Sequence, residues 1–279
     1  MNEAPALSPA PTAGELVPNV LSIAGTDPTG GAGIQTDLKV FGALGSYGMA
    51  VITAVIAQNT ERVQRVQAVD ADLVGEQLDC VFEDVRVDAV KIGMVGNADI
   101  AAAIASRLSH YRPARVVFDP VMIASTNRRL MNEVDLQRIR EALLPHVGLL
   151  TPNLTEAGLL LGRPPAQDEA GMRAMLTDLH ALGVANVLLK GGHLSGEEAV
   201  DLLSTPSGVM RLTQPRLHTR HGHGTGCTLS SAIAAYWTRH SLPESVSLAK
   251  HYLHRALQQA ERLSVGHGSG PLHHFHAIW

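Results

Sequence analysis

Short apolar runs alternate with amphipathic segments along the chain from residue 20 onward. The apolar runs are dense in Val, Ile, Leu and Ala, a pattern typical of strands that are buried on both faces. The strands predicted in this way lie at 20–24, 49–57, 89–92, 115–118, 147–150 and 186–189, with a hairpin over 199–203 and 209–212.

Segments of helical periodicity fill the intervals between these strands. The predicted helices lie at 34–44, 73–84, 98–108, 133–144, 153–161, 168–182, 225–239 and 243–263. Regular strand–helix alternation predicts an α/β fold with a mostly parallel sheet covered on both faces. No internal repeat or long linker divides the chain, so we expect a single domain over 18–279. An Ala- and Pro-rich stretch at 1–17 predicts a disordered leader without a targeting role.

The composition of the chain bears on the size of its core, its partners and its cellular compartment. The chain has 279 residues with 45% hydrophobic residues, ample for one large core. A formal net charge of −4 argues against nucleic acid or an anionic membrane surface as a partner. Only two cysteines occur, Cys80 and Cys227, which predicts a reducing compartment. No apolar stretch reaches membrane-spanning length, and we expect a cytoplasmic protein.

Polar and Gly-rich clusters follow most of the predicted strands. Ligands of open parallel sheets bind beyond the carboxyl ends of the strands, so these clusters should meet in one site. Their convergence indicates an enzyme more strongly than any single motif does. The clusters are at 25–27, 58–59, 93–94, 119–120, 153 and 190–192.

The sharpest motif, at 223–227, reads His-Gly-Thr-Gly-Cys where a predicted apolar helix begins. The backbone N–H groups of Gly224, Thr225 and Gly226 at a helix N-terminus favour an anion and suit a phosphoryl group in transfer. The same field would favour the thiolate of Cys227, which is then able to take a proton from an attacking hydroxyl. A Gly-rich turn feeding a buried helix, with Cys227 as a small core residue, explains the motif equally well.

A second Gly-rich segment, at 25–37, matches neither a dinucleotide-binding loop nor a Walker motif. Its glycines would let the backbone approach a flat ligand, with Asp37 facing that ligand from the next helix. For Asp37 alone, a solvated side chain after a tight turn is the favoured interpretation.

Candidate MgATP ligands lie further along the chain. Asn153 and Glu156 have the spacing to hold a hydrated Mg²⁺, although a simple capping box explains them without a metal. Lys190, in a Lys-Gly-Gly turn, is placed to contact phosphates or is merely exposed. The histidines at 273, 274 and 276 lack the spacing of a zinc site, so we favour a structural role for them.

Together these segments resemble the hydroxymethylpyrimidine and phosphomethylpyrimidine kinases of thiamine biosynthesis, in the ribokinase-like superfamily. The similarity runs from about Val20 to the C-terminus and includes the ending Gly-Pro-Leu-His-His-Phe. The ordered segments that carry it are at 24–27, 30–35, 37–39, 47–49, 51–54, 57–60, 91–94, 119–122, 151–154, 190–193 and 223–230.

The resemblance implies a three-layer α/β/α ribokinase-like fold, usually as a homodimer. It also implies two successive phosphorylations with ATP and Mg²⁺: first of 4-amino-5-hydroxymethyl-2-methylpyrimidine, then of its monophosphate. In this role Cys227 is the catalytic cysteine, and the backbone of Gly224, Thr225 and Gly226 forms the anion hole. The implied ring contacts are Gly25, Asp37, Ile56, Gln58, Met94 and Val121. Lys190, Asn153 and Glu156 are implied on the MgATP side, with Glu156, and Asn153 through water, near the metal.

Two segments depart from the family pattern, and both flank the expected phosphate site. The usual Ala-Lys-Ser-Gly flap reads Ala-Ser-Thr-Asn at 124–127, so Ser125 replaces a lysine, and we hypothesise that Arg128 or Arg129 supplies the charge. His221-Gly222 replaces the usual Asn-Thr before His223. The alternatives are a pyridoxal kinase of similar fold and a weakened homologue that binds the pyrimidine as a sensor.

Overall fold

The computed structural model describes residues 16–122, 133–192 and 194–279, which alternate between strands and helices as predicted. The strands are Asn19–Gly25 (β1), Tyr47–Gln58 (β2), Val63–Ala68 (β3), Ala89–Ile92 (β4), Val116–Phe118 (β5), Leu149–Leu150 (β6), Val187–Lys190 (β7), Glu198–Thr205 (β8) and Gly208–Pro215 (β9). The α-helices are Gly33–Ala43 (α1), Ala71–Asp84 (α2), Ala98–Tyr111 (α3), Glu133–Leu143 (α4), Leu154–Leu161 (α5), Glu169–His180 (α6), Thr225–Trp237 (α7) and Leu242–Gln258 (α8).

Within the described residues the strands form one nine-stranded sheet in the order β3-β2-β1-β4-β5-β6-β7-β8-β9. The six strands from β2 to β7 in this order run parallel. At one edge β3 pairs antiparallel with β2, and at the other β8 pairs antiparallel with both β7 and β9. In the sheet β2 lies on one side of β1 and β4 on the other, so the order in which the strands are added reverses at β1. Such a reversal opens a crevice at the carboxyl ends of the two strands.

Helices cover both faces of the sheet. On one face α2 to α6 contribute Leu78, Ile104 and Leu154, among other side chains, to a large buried cluster. On the other face α1, α7 and α8 pack Phe41 and Ile233 against the sheet. The predicted three-layer α/β/α architecture with a mostly parallel sheet is confirmed.

The edge strand β3 is absent from the sequence-based prediction. Its sequence, Val-Gln-Arg-Val-Gln-Ala, is largely exposed or half-buried, so it lacks the apolar run by which a buried strand is recognised. It is formed by antiparallel pairing with the end of β2, a contact that a local pattern does not report.

Several predicted features lie outside the described residues. They are most of the leader at 1–17, the altered flap at 124–127 with Arg128 and Arg129, and His193. In the part of the chain that the structure describes, no helix combines the length and apolar character needed to cross a bilayer.

The C-terminal histidines pack into the protein beside α7 and α8. His274 is buried, and its Nε2 lies 3.1 Å from Thr228 Oγ1 near the start of α7. The Tyr252 hydroxyl donates to the His274 carbonyl oxygen at 2.7 Å. Across the described residues no three His, Cys, Asp or Glu side chains are grouped to hold a metal ion. These contacts hold the C-terminal segment against α7 and α8.

Burial makes this segment sensitive to acid. It lowers the pKa of His274 to about 3, with Lys39 and two neighbouring histidines acting in the same direction. Since the unfolded imidazole has an ordinary pKa near 6.5, the stability that neutral His274 contributes is complete above that pH and is lost as pH falls toward 3. At pH 5 the loss amounts to about 2 kcal/mol.

We therefore expect His274→Gln to flatten the decline in the free energy of unfolding between pH 7 and pH 5. Urea denaturation at several pH values measures this difference. His110→Gln, on an exposed position of α3, is the matched control and should keep the wild-type pH dependence. Parallel pH curves for wild type and the His274 variant would contradict the assignment.

Candidate active site

A cavity of about 650 Å³ opens at the carboxyl ends of the parallel strands, where the strand order reverses. Its walls come from the segments after β1, β2, β4, β5, β6 and β7, together with the start of α7 and one side of α8. The polar clusters that follow the strands therefore meet in one place, as the sequence predicted.

Asp27 organises the glycine loop, residues 25–33, at the centre of this cavity. Its carboxylate accepts hydrogen bonds from the backbone N–H groups of Thr29, Gly31 and Ala32 at 2.8–3.1 Å. Nε2 of His223, just before α7, lies 2.7 Å from the same carboxylate. Burial opposes ionisation, but the hydrogen bonds from His223, Gln58 and Thr29 hold the pKa of Asp27 well below its usual range. Asp27 is thus a fixed anion that joins the glycine loop to the start of α7.

The α7 turn, residues 223–227, presents the N-terminus of α7 to the cavity. Gly224 is the N-cap residue in the left-handed region, with φ of +83°. The first N–H groups of a helix have no intrahelical acceptor, and their partial positive charge favours an anion. Gly224, Thr225, Gly226 and Cys227 all line the cavity. This turn can hold a phosphoryl group as the sequence motif predicted.

The side chain of Cys227 lines the cavity, but its ionisation differs from the prediction. Burial raises the pKa of the Cys227 thiol to about 11, and the carboxylates of Asp37 and Asp119 act in the same direction. Lys91 and the Gly33 N–H oppose this shift. The predicted ease of ionisation is therefore corrected: burial disfavours the thiolate of Cys227.

One end of the cavity is apolar. We call it the apolar end, and it is formed by Gly25, Ile56, Val63, Val66, Met94 and Val121. Gln58 is the polar side chain beside it, and its amide hydrogen-bonds Asp27. The structure thus brings together Gly25, Ile56, Gln58, Met94 and Val121, five of the six predicted ring contacts. An apolar pocket wall with one amide is suited to a flat heterocycle.

Asp37 is the exception among these predicted contacts. Its carboxylate is fully buried beneath the cavity floor and is not part of the wall. It pairs with the Lys91 ammonium at 2.8 Å and accepts from Ser22 and Ser231. The predicted direct contact between Asp37 and a ligand is therefore corrected to a supporting position below the site.

The opposite side of the cavity carries charges, and we call Asp119, Glu156 and Lys190 the charged end. Lys190 Nζ lies 2.7 Å from Asp119 Oδ1 and 3.9 Å from Glu156 Oε2. Burial opposes the charge on Lys190, but the two carboxylates raise its pKa to about 12. Burial, with a smaller contribution from Asp119, raises the pKa of Glu156 to about 7 against the pull of Lys190.

Asn153 and Glu156 form the capping box of α5. The Glu156 N–H donates to Asn153 Oδ1 at 2.9 Å, and the Asn153 N–H donates to Glu156 Oε2 at 2.7 Å. Both residues also line the cavity. The predicted capping box is confirmed. Because Glu156 also lines the cavity, its carboxylate is able to cap α5 and to contact a ligand as well.

Sequence reasoning assigned no role to Asp119, Lys91 or the wall formed by α8 and the β8–β9 hairpin. Asp119 was noted only as a strand-end residue. Lys91 carried a readable signal, because it is a charge inside an otherwise apolar strand. The far wall includes Ala199, Gln214, Pro215, Leu217, Leu253 and Leu257 and carried none, since its residues are remote from one another in sequence.

Comparisons with known proteins agree with this geometry. A family model described as phosphomethylpyrimidine kinase matches residues 27–273. The chain is 52% identical to a hydroxymethylpyrimidine/phosphomethylpyrimidine kinase of Escherichia coli over 94% of this chain and 98% of that protein. It is 50% identical to a protein of the same name from Rhizobium meliloti, over 93% and 97% of the two chains.

Solved structures give the same fold. An ADP complex of Bacillus subtilis pyridoxal kinase has a TM-score of 0.86 and 32% identity, over 93% of this chain and 98% of that chain. A phosphomethylpyrimidine kinase from Clostridium difficile has a TM-score of 0.76 and 39% identity, over 86% and 99%.

The close approach of the α7 turn to the glycine loop makes Gly224 irreplaceable. A Cβ at Gly224 would collide with the Gly31 carbonyl oxygen, and its positive φ is strained for any other residue. We expect Gly224→Ala to lower the free energy of unfolding by about 1–3 kcal/mol and to weaken ADP binding at least about tenfold. Denaturation and calorimetric titration measure the two effects.

Gly222→Ala is the matched control, because the nearest atom to its added Cβ is 4.0 Å away. That variant should retain stability and ADP affinity. Equal behaviour of the two alanine variants would show that the turn does not depend on this close contact.

Proposed function

The chain belongs to the phosphomethylpyrimidine kinase family, and we propose that it phosphorylates 4-amino-5-hydroxymethyl-2-methylpyrimidine with ATP and then converts the monophosphate to the diphosphate. One observation carries this proposal. A single cavity places an apolar slot with one amide, an anion-binding helix N-terminus with a thiol, and a charged end next to one another. A 44% identical relative from Geobacter sulfurreducens, named thiamine biosynthesis bifunctional protein ThiED, supports the same assignment.

The pyrimidine is proposed to lie in the apolar end. Gln58 offers a donor and an acceptor to the amino group and ring nitrogen of the heterocycle. Met94 and Val121 are placed to pack on the ring, and Gly25 and Ile56 to contact its edge. In this orientation the hydroxymethyl group points toward Cys227 and the α7 turn.

ATP is proposed to occupy the remaining length of the cavity. Its base is suited to the apolar side chains of Leu253 and Leu257 on the far wall, and its phosphates to Lys190 and the α7 turn. The N–H groups of Gly224 to Cys227 would then receive the γ-phosphoryl group, where negative charge is stabilised without reorganisation.

The charged end fits a divalent cation. Asp119 and Glu156 bring two carboxylates against the single ammonium of Lys190, and their crowding contributes to the raised pKa of Glu156. Glu156, and Asn153 through water, are proposed to hold Mg²⁺, which takes oxygen ligands and keeps several waters. When bound, the ion supplies charge neutralisation at the phosphates.

The transfer step needs little covalent chemistry from the protein. The substrate oxygen forms a bond to the γ-phosphorus, the bond from phosphorus to the β,γ-bridging oxygen breaks, and its electron pair leaves with ADP. The hydroxyl proton passes to the Cys227 sulfur in its thiolate form. Because the thiol pKa is near 11, the thiolate is a minor species at neutral pH. We infer that positioning and the α7 N–H groups supply most of the rate enhancement, as a loose transition state allows.

The chain is also proposed to form a cytoplasmic homodimer. The exposed edge strand β3 and the exposed side chain of Val55 on its neighbour β2 are the features that support association. Both cysteines are free, in keeping with a reducing compartment.

Mass spectrometry of products from ATP and the hydroxymethylpyrimidine tests the function directly. We expect the monophosphate first and the diphosphate after longer incubation. Pyridoxal is the parallel substrate, because pyridoxal kinases of Bacillus subtilis and Staphylococcus aureus share the fold at a TM-score of 0.86. A strong preference for pyridoxal would overturn the pyrimidine assignment, and the absence of any phosphorylated product would favour a sensor.

Steady-state kinetics of Gln58→Ala test the proposed division of the cavity. Loss of the amide should raise KM for the pyrimidine about tenfold or more, since one buried hydrogen bond is worth on the order of 1–2 kcal/mol, and leave KM for ATP nearly unchanged. Lys190→Ala is the complementary variant and should affect KM for ATP and turnover. A rise in KM for ATP in the Gln58 variant would contradict this arrangement.

A further inference from the structure

A buried polar network lies under the cavity floor, in a layer otherwise made of apolar side chains. The Lys91 ammonium on β4 donates to both oxygens of the Asp37 carboxylate on α1, at 2.9 and 2.8 Å. The hydroxyls of Ser22 on β1 and Ser231 on α7 donate to the same carboxylate at 2.5 and 2.7 Å. All four side chains are fully buried. The network therefore joins the two central strands to the two helices that begin at the site.

A charge pair in this position costs desolvation energy that an apolar pair would avoid. The strand around Lys91 reads Ala-Val-Lys-Ile, and its other three residues are buried apolar side chains of the kind expected in a central parallel strand. Fastening α1 to α7 is one use of the pair, but packing alone would serve that purpose. The placement of the charge relative to Cys227 indicates a second use.

Cys227 and Ser231 are four residues apart on α7 and so share one face of the helix. Since Ser231 contacts the Asp37 carboxylate directly, the buried ion pair lies on the side of α7 that carries the thiol. Lys91 and Cys227 both line the cavity. Among the described residues Asp37 is the sole hydrogen-bond partner of the Lys91 ammonium, and it occupies two of the three N–H donors.

We propose that Lys91 is a positioning residue for phosphoryl transfer: its ammonium, held from below by Asp37, is the fixed buried positive charge that the Cys227 sulfur faces. The inference rests on the proposed function, in which this sulfur takes the hydroxyl proton. Lys91 stabilises the thiolate before transfer, and Asp37 keeps the ammonium in place and protonated. The pair thus keeps the pKa of the Cys227 thiol between two extremes. With a much lower pKa the thiolate would be too weak a base to accept the proton, and with a much higher pKa the thiol would not ionise.

The charges around the thiol agree with this role. Lys91 lowers the pKa of Cys227, while Asp37 and Asp119 raise it by smaller amounts than burial does. Lys190 on β7 also interacts electrostatically with the Cys227 thiol. Conversely, burial opposes the charge on Lys91, but Asp37, Cys227 and Asp119 hold its pKa above the usual value. Among the charged groups around the thiol Lys91 has the largest effect on its pKa, so removing the whole pair should make Cys227 harder to ionise.

The test is the pH dependence of Cys227 alkylation by iodoacetamide, followed by mass spectrometry. A Cys80→Ser background removes the other, exposed cysteine. In this background Asp37→Asn/Lys91→Met deletes the pair without leaving an unpaired charge, and Asp37→Asn deletes only the carboxylate. We expect the alkylation midpoint to rise above that of the background in the double variant, and to rise as well in Asp37→Asn, because the buried ammonium is no longer kept protonated by its carboxylate. The rise should be about one pH unit, or roughly tenfold in rate at a fixed pH below both midpoints.

Ser231→Ala is the control for a purely structural role. It removes a hydrogen bond from the same network without changing a charge, so the alkylation midpoint should stay where it is in the background protein. The acid limb of the kcat profile should move with the alkylation midpoint, whereas KM for ATP should not. If Asp37→Asn alone does not fold, the double variant still decides, because it must alkylate with a higher midpoint than the background.

An unchanged or lower midpoint in the double variant would overturn the inference, as would an equal shift in Ser231→Ala. The readout does not require any particular substrate. A failure to phosphorylate the pyrimidine therefore counts against the proposed function alone. If the product forms but the background protein and the double variant have the same alkylation midpoint, only the role of Lys91 is contradicted.

Discussion

The site depends on one buried carboxylate, that of Asp27. It gathers the backbone N–H groups of the glycine loop and meets the His223 ring at 2.7 Å, which joins the segment after β1 to the start of α7. An ionised carboxylate accepts several hydrogen bonds at once and so fixes a loop whose glycines would otherwise be free to move. With this contact made, Gly224 lies directly against Gly31, and the N-terminus of α7 is aimed into the cavity.

The charged groups of the site lie in three places: at the glycine loop, below the cavity floor and at the charged end. Asp27 at the centre is held ionised by hydrogen bonds, the Lys91–Asp37 pair below is neutral overall, and the charged end keeps two carboxylates around one ammonium. Asp27 is an anion, and the charged end also carries more carboxylates than ammonium groups; the charged end lies where a cation and phosphates are proposed to bind. Such a distribution leaves the apolar end free of formal charge, as an uncharged heterocycle requires.

Cys227 shows how an isolated motif can mislead. A thiol in the first turn of a helix is expected to ionise easily, but here desolvation and the carboxylates of Asp37 and Asp119 disfavour the thiolate. The thiol is therefore held largely protonated at neutral pH. In this setting the buried lysine takes on importance, because it is the strongest of the groups that oppose the shift.

The sequence by itself determined the strand and helix order, the three-layer architecture and most of the residues at the strand ends, because hydrophobic periodicity and Gly-rich punctuation are local signals. Resemblance to a family added the roles of Gln58, Lys190 and Cys227. Only the tertiary structure decided that Asp37 turns inward to Lys91, that Asp119 pairs with Lys190, and that Cys227 has a raised pKa. Each of these depends on contacts between segments far apart in sequence and on exclusion of water, neither of which a local pattern records.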